Sequence, residues 1–121
     1  MRKLLEYYQI VNERLAKILD EERENIELAA EMISESLKNE DNLLHIFGTG
    51  GHSTMSATEI FDRAGGLAQI DPIFFSGICL ENGGQKAKIE RVPGIAPMIM
   101  DAHTFNKGEV LLVVSQVGIN S

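Results

Sequence analysis

The residues best suited to bind an anion lie between Gly48 and Ser56. Glycines at 48, 50 and 51 let the backbone turn sharply and approach a ligand closely, and the hydroxyl residues after them begin an apolar-periodic run typical of a helix. Four of the five residues in 43–47 are apolar, as in a strand buried on both faces. A strand followed by a turn and a helix N-terminus brings free N–H groups to one place, which favours phosphate binding. A plain tight turn is the alternative, because the spacing matches neither a P-loop nor the dinucleotide fingerprint.

Two residues close to this stretch are candidates for proton transfer. His52 lies in the turn, and an ordinary pKa of about 6.5 suits a histidine for acid–base work. Glu59 follows Ser53 by six residues, within two turns of the predicted helix start. The structural alternatives are a loop histidine bonded to the backbone and an exposed helix glutamate paired with Arg63, four residues further on.

The other histidines and the cysteine favour structural positions. His45 alternates within the predicted buried strand and is expected to be a hydrogen-bonded core or edge residue, and His103, beside Asp101, is expected at the surface. The three histidines lack the i, i+4 spacing of a helical metal site, and Cys79 is the only cysteine, which leaves no disulfide framework. The sequence therefore predicts no metal and no other cofactor.

The elements that must position these residues begin with a long helical segment. Residues 2–38 contain no glycine or proline, and their apolar residues recur at helical spacing on both sides of the wholly polar stretch 20–25. This pattern predicts two helices or one bent helix. An apolar stripe ahead of the first strand has little of its own domain to pack on, which favours a dimer or a bundle with another chain.

The rest of the chain alternates between strands and loops. The sequence predicts that the helix after the glycine-rich stretch ends at Gly65–Gly66, that a short second strand lies within 67–75, and that 76–97 is a loop with one or two helical turns. A short helix at 98–103 and a strand at Val110–Val114 follow. A second polar turn, 115–121, comes directly after that strand. Since ligands bind where such turns meet at the carboxyl ends of parallel strands, the two turns together predict a ligand site.

Composition limits the partners of the chain. The 121 residues amount to one domain at most, and 44% of them are apolar, enough for a core. The net charge of −7 argues against binding to nucleic acid or to anionic membranes. No apolar run approaches the ~20 residues of a membrane span, and the charged N-terminus does not have the pattern of a signal peptide. We therefore expect a cytoplasmic protein with no membrane and no nucleic-acid partner.

Three segments resemble the SIS (sugar isomerase) domain family. FGTGGHS (47–53) and VVSQVGINS (113–121) are similar to its two phosphosugar-binding loops, and Glu59–Ala68 is similar to bacterial members related to phosphoheptose isomerase. The resemblance implies an α/β fold with three α/β/α layers and a flavodoxin-like parallel sheet, preceded by long helices. The family sheet has five strands and this chain supplies about three, so we expect the C-terminal part of the fold to be missing.

The resemblance also implies the organisation and the function of the chain. Residues 1–40 would be a helical segment packing in a homo-oligomer, a dimer or tetramer, and 41–121 the first part of a phosphosugar-binding domain. The implied function is that of a sugar-phosphate isomerase, aldose–ketose or related, with Glu59 or His52 transferring the proton. A non-catalytic module that senses a sugar phosphate and a degenerate oligomerisation domain are the alternatives.

The phosphate-binding residues are carried over from the two family loops. Val117 stands where the second family loop has a hydroxyl residue, so one donor is missing. Either of the last two residues of the chain stands near the usual threonine. The implied phosphate contacts are Gly50, Gly51, Ser53, Ser115, Gln116, Asn120 and Ser121.

Overall fold

The computed structural model describes residues 1–118 of the chain. Its helices and strands, in chain order, are α1 (Arg2–Glu21), α2 (Arg23–Ser36), β1 (Leu44–Gly48), α3 (Thr54–Ile60), β2 (Ile70–Ile73), α4 (Lys86–Ile89), α5 (Ile95–Met100) and β3 (Val110–Val114). Three short 3-10 turns lie at Gly51–Ser53, Ser76–Ile78 and Leu80–Gln85.

The chain divides into two compact units, Met1–Ser34 and Glu35–Ser121. The first unit contains α1 and most of α2, which meet at Glu22 within the polar stretch, so of the two predicted alternatives the structure has two helices. No residue of α1 is buried. Among residues 1–118, no helix is long and apolar enough to cross a membrane. The large apolar side chains exposed on this unit include Leu4, Tyr8, Leu15, Ile18, Leu19, Ile26 and Met32.

The second unit is built on a parallel sheet with the strand order β2-β1-β3. Leu44 is in register with Ile70 on one side and with Val110 on the other, so the carboxyl ends of the three strands meet at one edge. All five residues of β1 are buried because the strand is central. Pro72 fits in β2 because that strand lies at the edge of the described sheet. The predicted α/β fold, with a parallel sheet and flanking helices, is confirmed.

The core beside the sheet joins β1 to the segment predicted as a loop. Phe47 and Ile73 from the strands pack with Ile78 and Ile99, all four at most 5% exposed. The strand β3 matches the predicted residues Val110–Val114, and the turns between 76 and 97 match the predicted loop with short helical pieces. This core holds α4 near the carboxyl end of β1.

One helix is shorter than its sequence predicts. The expectation that the helix after the glycine-rich stretch continues to Gly65–Gly66 is wrong, because α3 ends at Ile60. Phe61 is extended, with φ −79° and ψ 140°, and Asp62 has a φ of 51°. Asp is one of the few residues besides glycine that adopts this left-handed conformation, so the chain leaves the helix four residues early.

Candidate functional site

The first polar stretch folds back over the end of β1. A side chain at Gly48 would overlap the backbone of Ser53 and Thr54, because the 3-10 turn Gly51–Ser53 lies directly against the strand end. Gly50 has a φ of 146°, a conformation that residues with a side chain rarely adopt. These two glycines are therefore required by the path of the chain, which brings Ser53 to the carboxyl edge of the sheet.

Backbone and hydroxyl groups join the two predicted loops. The Ser53 hydroxyl accepts a hydrogen bond from the Gln116 backbone N–H at 3.0 Å, across 63 residues of sequence. The backbone N–H of Thr49 donates to the carbonyl of Val114 at 3.0 Å, which continues the pairing of β1 and β3 beyond their ends. Ser53 is only 6% exposed. The two loops that were separate in the sequence thus form one wall.

A cavity of about 190 Å³ lies against this wall, and we call it the loop cavity. It contains every phosphate-binding residue predicted from the sequence that falls within 1–118, together with the predicted proton-transfer residue His52. Asn120 and Ser121 lie outside the described residues. The lining residues are Thr49, Gly50, Gly51, His52, Ser53, Lys86, Glu90, Arg91, Ser115, Gln116 and Val117.

Three charged residues of the loop cavity were not predicted from the sequence. Lys86, Glu90 and Arg91 belong to α4 and the residues just after it. The Lys86 side chain passes within 3.1 Å of the position that a Cβ on Gly51 would occupy. The signal that could have found these residues is their helical i, i+4 and i, i+5 spacing inside the glycine-rich segment 76–97. The loop cavity thus has two cations and one carboxylate beside the neutral loops.

Glu59 lies outside the loop cavity. Its carboxylate makes an ion pair with Arg63 at 2.6 Å, and the two side chains are 71% and 56% exposed. A second cavity, of about 390 Å³, includes Glu59 in its lining. The structure therefore does not bring the two predicted proton-transfer residues together, since His52 alone lines the loop cavity. The lining of the second cavity consists of Thr54, Met55, Thr58, Glu59, Cys79, Leu80 and Glu81.

Cys79 is one of the residues that line this second cavity. Burial and the charge of Glu81 raise the pKa of Cys79 above its ordinary value. Its Sγ donates a hydrogen bond to the carbonyl of Phe75 at 3.4 Å. Because the thiolate is the nucleophilic form, the raised pKa indicates a structural cysteine. Within residues 1–118, no group of three or more His, Cys, Asp or Glu side chains is arranged to hold a metal ion.

A buried charge network lies near the amino ends of the strands, away from the loops. The His45 ring is 1% exposed and bridges two carboxylates, with Nδ1 at 2.7 Å from Asp71 and Nε2 at 3.0 Å from Glu109. His103 lies beside the same network, 3.5 Å from Asp71. The Phe105 ring covers His45 with a centroid distance of 4.6 Å. The expectation of a hydrogen-bonded core histidine at position 45 is confirmed.

The network changes the pKa values of His45 and Glu109 in opposite directions. Burial alone lowers the pKa of His45, but the hydrogen bonds and charges of Glu109 and Asp71 outweigh it, so the pKa lies above 6.5. The hydrogen bond from His45, and then those from the Asn106 backbone and side chain, lower the pKa of Glu109 from 4.5 to about 2. Both groups are therefore charged together in weakly acidic solution.

Comparisons with known proteins match nearly the whole chain. A family model described as a SIS domain matches residues 6–121. A UPF0309 protein of Caldanaerobacter subterraneus is 41% identical over 115 residues, which cover 94% of this chain and 46% of that protein. A UPF0309 protein of Thermoanaerobacter pseudethanolicus is 41% identical, and the match covers 97% of this chain and 48% of that protein. A UPF0309 protein of Brucella ovis is 37% identical, and the match covers 95% of this chain and 47% of that protein. The chain thus spans about half the length of these curated relatives.

Proposed function

Because this chain belongs to the SIS domain family, we propose that its loop cavity binds the phosphate group of a sugar phosphate. The observation that carries this proposal is the hydrogen bond from the Gln116 backbone N–H to the Ser53 hydroxyl. It joins the two loops that resemble the phosphosugar-binding loops of the family around a single cavity. The resemblance in the sequence and the family match support the same function.

The lining of the loop cavity suits a phosphate ester. A phosphate group carries about −1.5 to −2 charges at neutral pH and offers three acceptor oxygens. Ser53 and Ser115 supply hydroxyl donors, and the backbone at Gly50 and Gly51 approaches closely because no side chain intervenes. Lys86 supplies a cation in a protein whose net charge is −7. Hydrogen bonds between charged partners are about twice as strong as neutral ones, so this cation favours an anionic ligand.

We further propose isomerase-like chemistry on the bound sugar phosphate, aldose–ketose or related. Such a reaction needs a group that moves a proton between adjacent carbons, and His52 is the predicted acid–base residue that lines the loop cavity. Glu59 stays a prediction, because it lines the second cavity. That separation is also the observation that favours the alternative, a module that binds a sugar phosphate without converting it.

The partner proposed for the first unit is a second copy of this chain. The exposed apolar residues of α1 recur at helical spacing, and burying them against another copy would remove a large apolar area from water. We propose a homo-oligomer, a dimer or tetramer, that forms in this way. For the same chain we propose a cytoplasmic location, with no membrane and no nucleic-acid partner.

Binding to sugar phosphates tests the proposed function directly. We expect a pentose, hexose or heptose monophosphate to raise the melting temperature by several degrees, since ligand at ~100 times its dissociation constant adds about 2.7 kcal/mol of stability. The corresponding free sugars should have no effect. No shift with any of these sugar phosphates, in a folded sample, would contradict the proposal.

A double variant tests the assignment of the residues. Ser53→Ala with Ser115→Ala should weaken binding by about a hundredfold or more, because each lost hydrogen bond to a charged group costs about 1.5–3 kcal/mol. Calorimetric titration measures the change, and circular dichroism checks the fold. Ser34→Ala with Ser76→Ala removes two exposed hydroxyls outside the loop cavity and should bind normally. Equal affinities of the two double variants would refute the assignment.

A further inference from the structure

Glu90 is a carboxylate built into the wall of the loop cavity. It is the first residue after α4, where its backbone N–H donates to the carbonyl of Lys86 at 2.9 Å. Its side chain is only 11% exposed, and Oε1 lies 3.6 Å from the Arg91 guanidinium. The other oxygen, Oε2, lies so close to Gly50 that any side chain at that position would overlap it. Glu90 therefore presents an acceptor directly beside the first phosphate loop.

A carboxylate in this place is unfavourable for an anion that carries no hydrogen-bond donor. An ionised carboxylate only accepts hydrogen bonds, and so do the oxygens of a fully ionised phosphate ester. Two like charges within one cavity also repel, and partial burial reduces the screening by water. A cavity that held only the phosphate group of an ester would thus gain by having a neutral residue at this position.

The same carboxylate is favourable for a ligand that brings donors of its own. A sugar phosphate carries hydroxyl groups on the carbons next to the phosphate, and each hydroxyl can donate to an acceptor. A hydrogen bond to a charged acceptor is stronger than one to a neutral acceptor. A site with a buried partner for a hydroxyl discriminates strongly against ligands that lack it, because the partner is then left without its bond.

We propose that Glu90 is a specificity-determining residue, whose carboxylate accepts hydrogen bonds from hydroxyls of the bound sugar and selects sugar phosphates over phosphate esters without hydroxyls. This inference rests on the proposed function, since it takes the phosphate to lie on the two loops. It assigns a role to the end of α4, which the resemblance to the SIS loops did not cover. Lys86, on α4, balances the charge of the phosphate, and Glu90, directly after that helix, contacts the sugar hydroxyls.

Calorimetric titration of Glu90→Gln with two probes separates these effects. The probes are methyl phosphate, an ester without a hydroxyl, and the sugar monophosphate of the pentose, hexose and heptose series that binds the unmodified chain most tightly. Removing the like charge should tighten methyl phosphate several-fold, whereas losing the charged acceptor should weaken the sugar phosphate. We expect the ratio of the two dissociation constants to change by about tenfold or more. A merely structural role would weaken both probes in proportion.

Glu81→Gln is the matched control for net charge. Glu81 is exposed, lies in the same segment of the chain and lines the second cavity, so its substitution removes one negative charge without touching the loop cavity. We expect it to leave the ratio of the two dissociation constants unchanged. If Glu90→Gln does not fold, Glu90→Asp keeps the charge but withdraws the carboxylate, and it should weaken the sugar phosphate while leaving methyl phosphate within twofold.

The outcomes distinguish this inference from the function on which it rests. If the unmodified chain binds a sugar phosphate and Glu90→Gln leaves the ratio unchanged, the role of Glu90 is refuted and the proposed function stands. If the folded, unmodified chain binds methyl phosphate but none of the sugar monophosphates, the proposed function fails and the role of Glu90 fails with it. Opposite changes for the two probes, absent in Glu81→Gln, support both.

Discussion

His45 is held between two carboxylates from the neighbouring strand and the residue before β3. Asp71 contacts one ring nitrogen and Glu109 the other, while His103 lies 3.5 Å from the same Asp71. A doubly hydrogen-bonded imidazolium satisfies both acids, whereas a neutral imidazole carries a single N–H and satisfies only one of them. The protonation of this one residue therefore affects the pairing of all three strands.

The pH dependence of stability should report this network. The raised pKa of His45 gives stability that is fully present below pH 6.5 and is lost as the pH rises through the folded-state pKa. The lowered pKa of Glu109 gives stability that is present above pH 4.5 and is lost as the pH falls through about 2. We therefore expect the free energy of unfolding in urea to be highest between pH 4.5 and pH 6.5 and to decline above pH 6.5.

A histidine variant and its control identify the residue responsible. His45→Gln should abolish the decline above pH 6.5 and should be less stable at pH 6, because it cannot carry the charge. His52→Gln removes an exposed histidine of the first loop and should keep the decline. The same slope above pH 6.5 in His45→Gln and in the unmodified chain would show that His45 is not the titrating group.

The first loop depends on the missing side chain at Gly48. Alanine at this position should destabilise the fold by about 1–3 kcal/mol, because its Cβ would overlap the backbone of Ser53 and force the turn away from β1. The same displacement should abolish binding of a sugar phosphate. Gly84→Ala is the control, because no atom lies within 4 Å of its added Cβ and it should change stability by less than about 0.5 kcal/mol. Urea unfolding and calorimetry measure both effects, and normal binding by Gly48→Ala would contradict this account of the loop.

The elements that the sequence predicts well are those whose pattern depends on their own residues. Val110–Val114 is an unbroken β-branched and leucine run, and the structure has a strand with these bounds. The end of α3 was not predictable from periodicity, because it depends on the left-handed backbone of Asp62. The second strand lies within the predicted range 67–75, where pairing with β1 selects Ile70–Ile73 from a longer apolar stretch.

In the candidate site, too, the sequence predicts what depends on neighbouring residues and misses what depends on contacts between distant parts of the chain. Both loops were predicted because glycines and hydroxyls follow apolar runs, and these loops meet in one cavity. The charged wall formed by Lys86 and Glu90 was missed, because the position of α4 depends on the core contacts of Ile78 and Ile99, which are distant in sequence from β1. Glu59 was predicted near the loops from its separation of six residues, but its side chain extends toward Arg63 instead.

At the scale of the whole molecule, the first unit carries large apolar side chains that are exposed in the part of the chain that the structure describes. Leu15, on α1, is 55% exposed and lies on the same helical face as Leu4 and Tyr8. If this face joins copies of the chain, Leu15→Glu should shift the assembly toward the monomer, because it would place a charge in an apolar interface. Size-exclusion chromatography with light scattering measures the mass.

Gln9→Glu provides the comparison for this test. It adds the same charge about 120° around α1 from Leu15 and should leave the oligomeric state unchanged. A monomer in every case, or equal dissociation by the two variants, would contradict an oligomer that forms through this face.

Amide chemical-shift mapping by NMR, during titration with a sugar monophosphate, locates the bound ligand on the protein. If the two loops form the phosphosugar site, the largest changes occur at the two loops and on α4, at Gly50, Gly51, Ser53, Gln116 and Lys86, with little change around the second cavity at Thr58, Cys79 and Leu80. Changes concentrated at the second cavity, or saturable binding with no change at either loop, would contradict a phosphosugar site formed by the two loops.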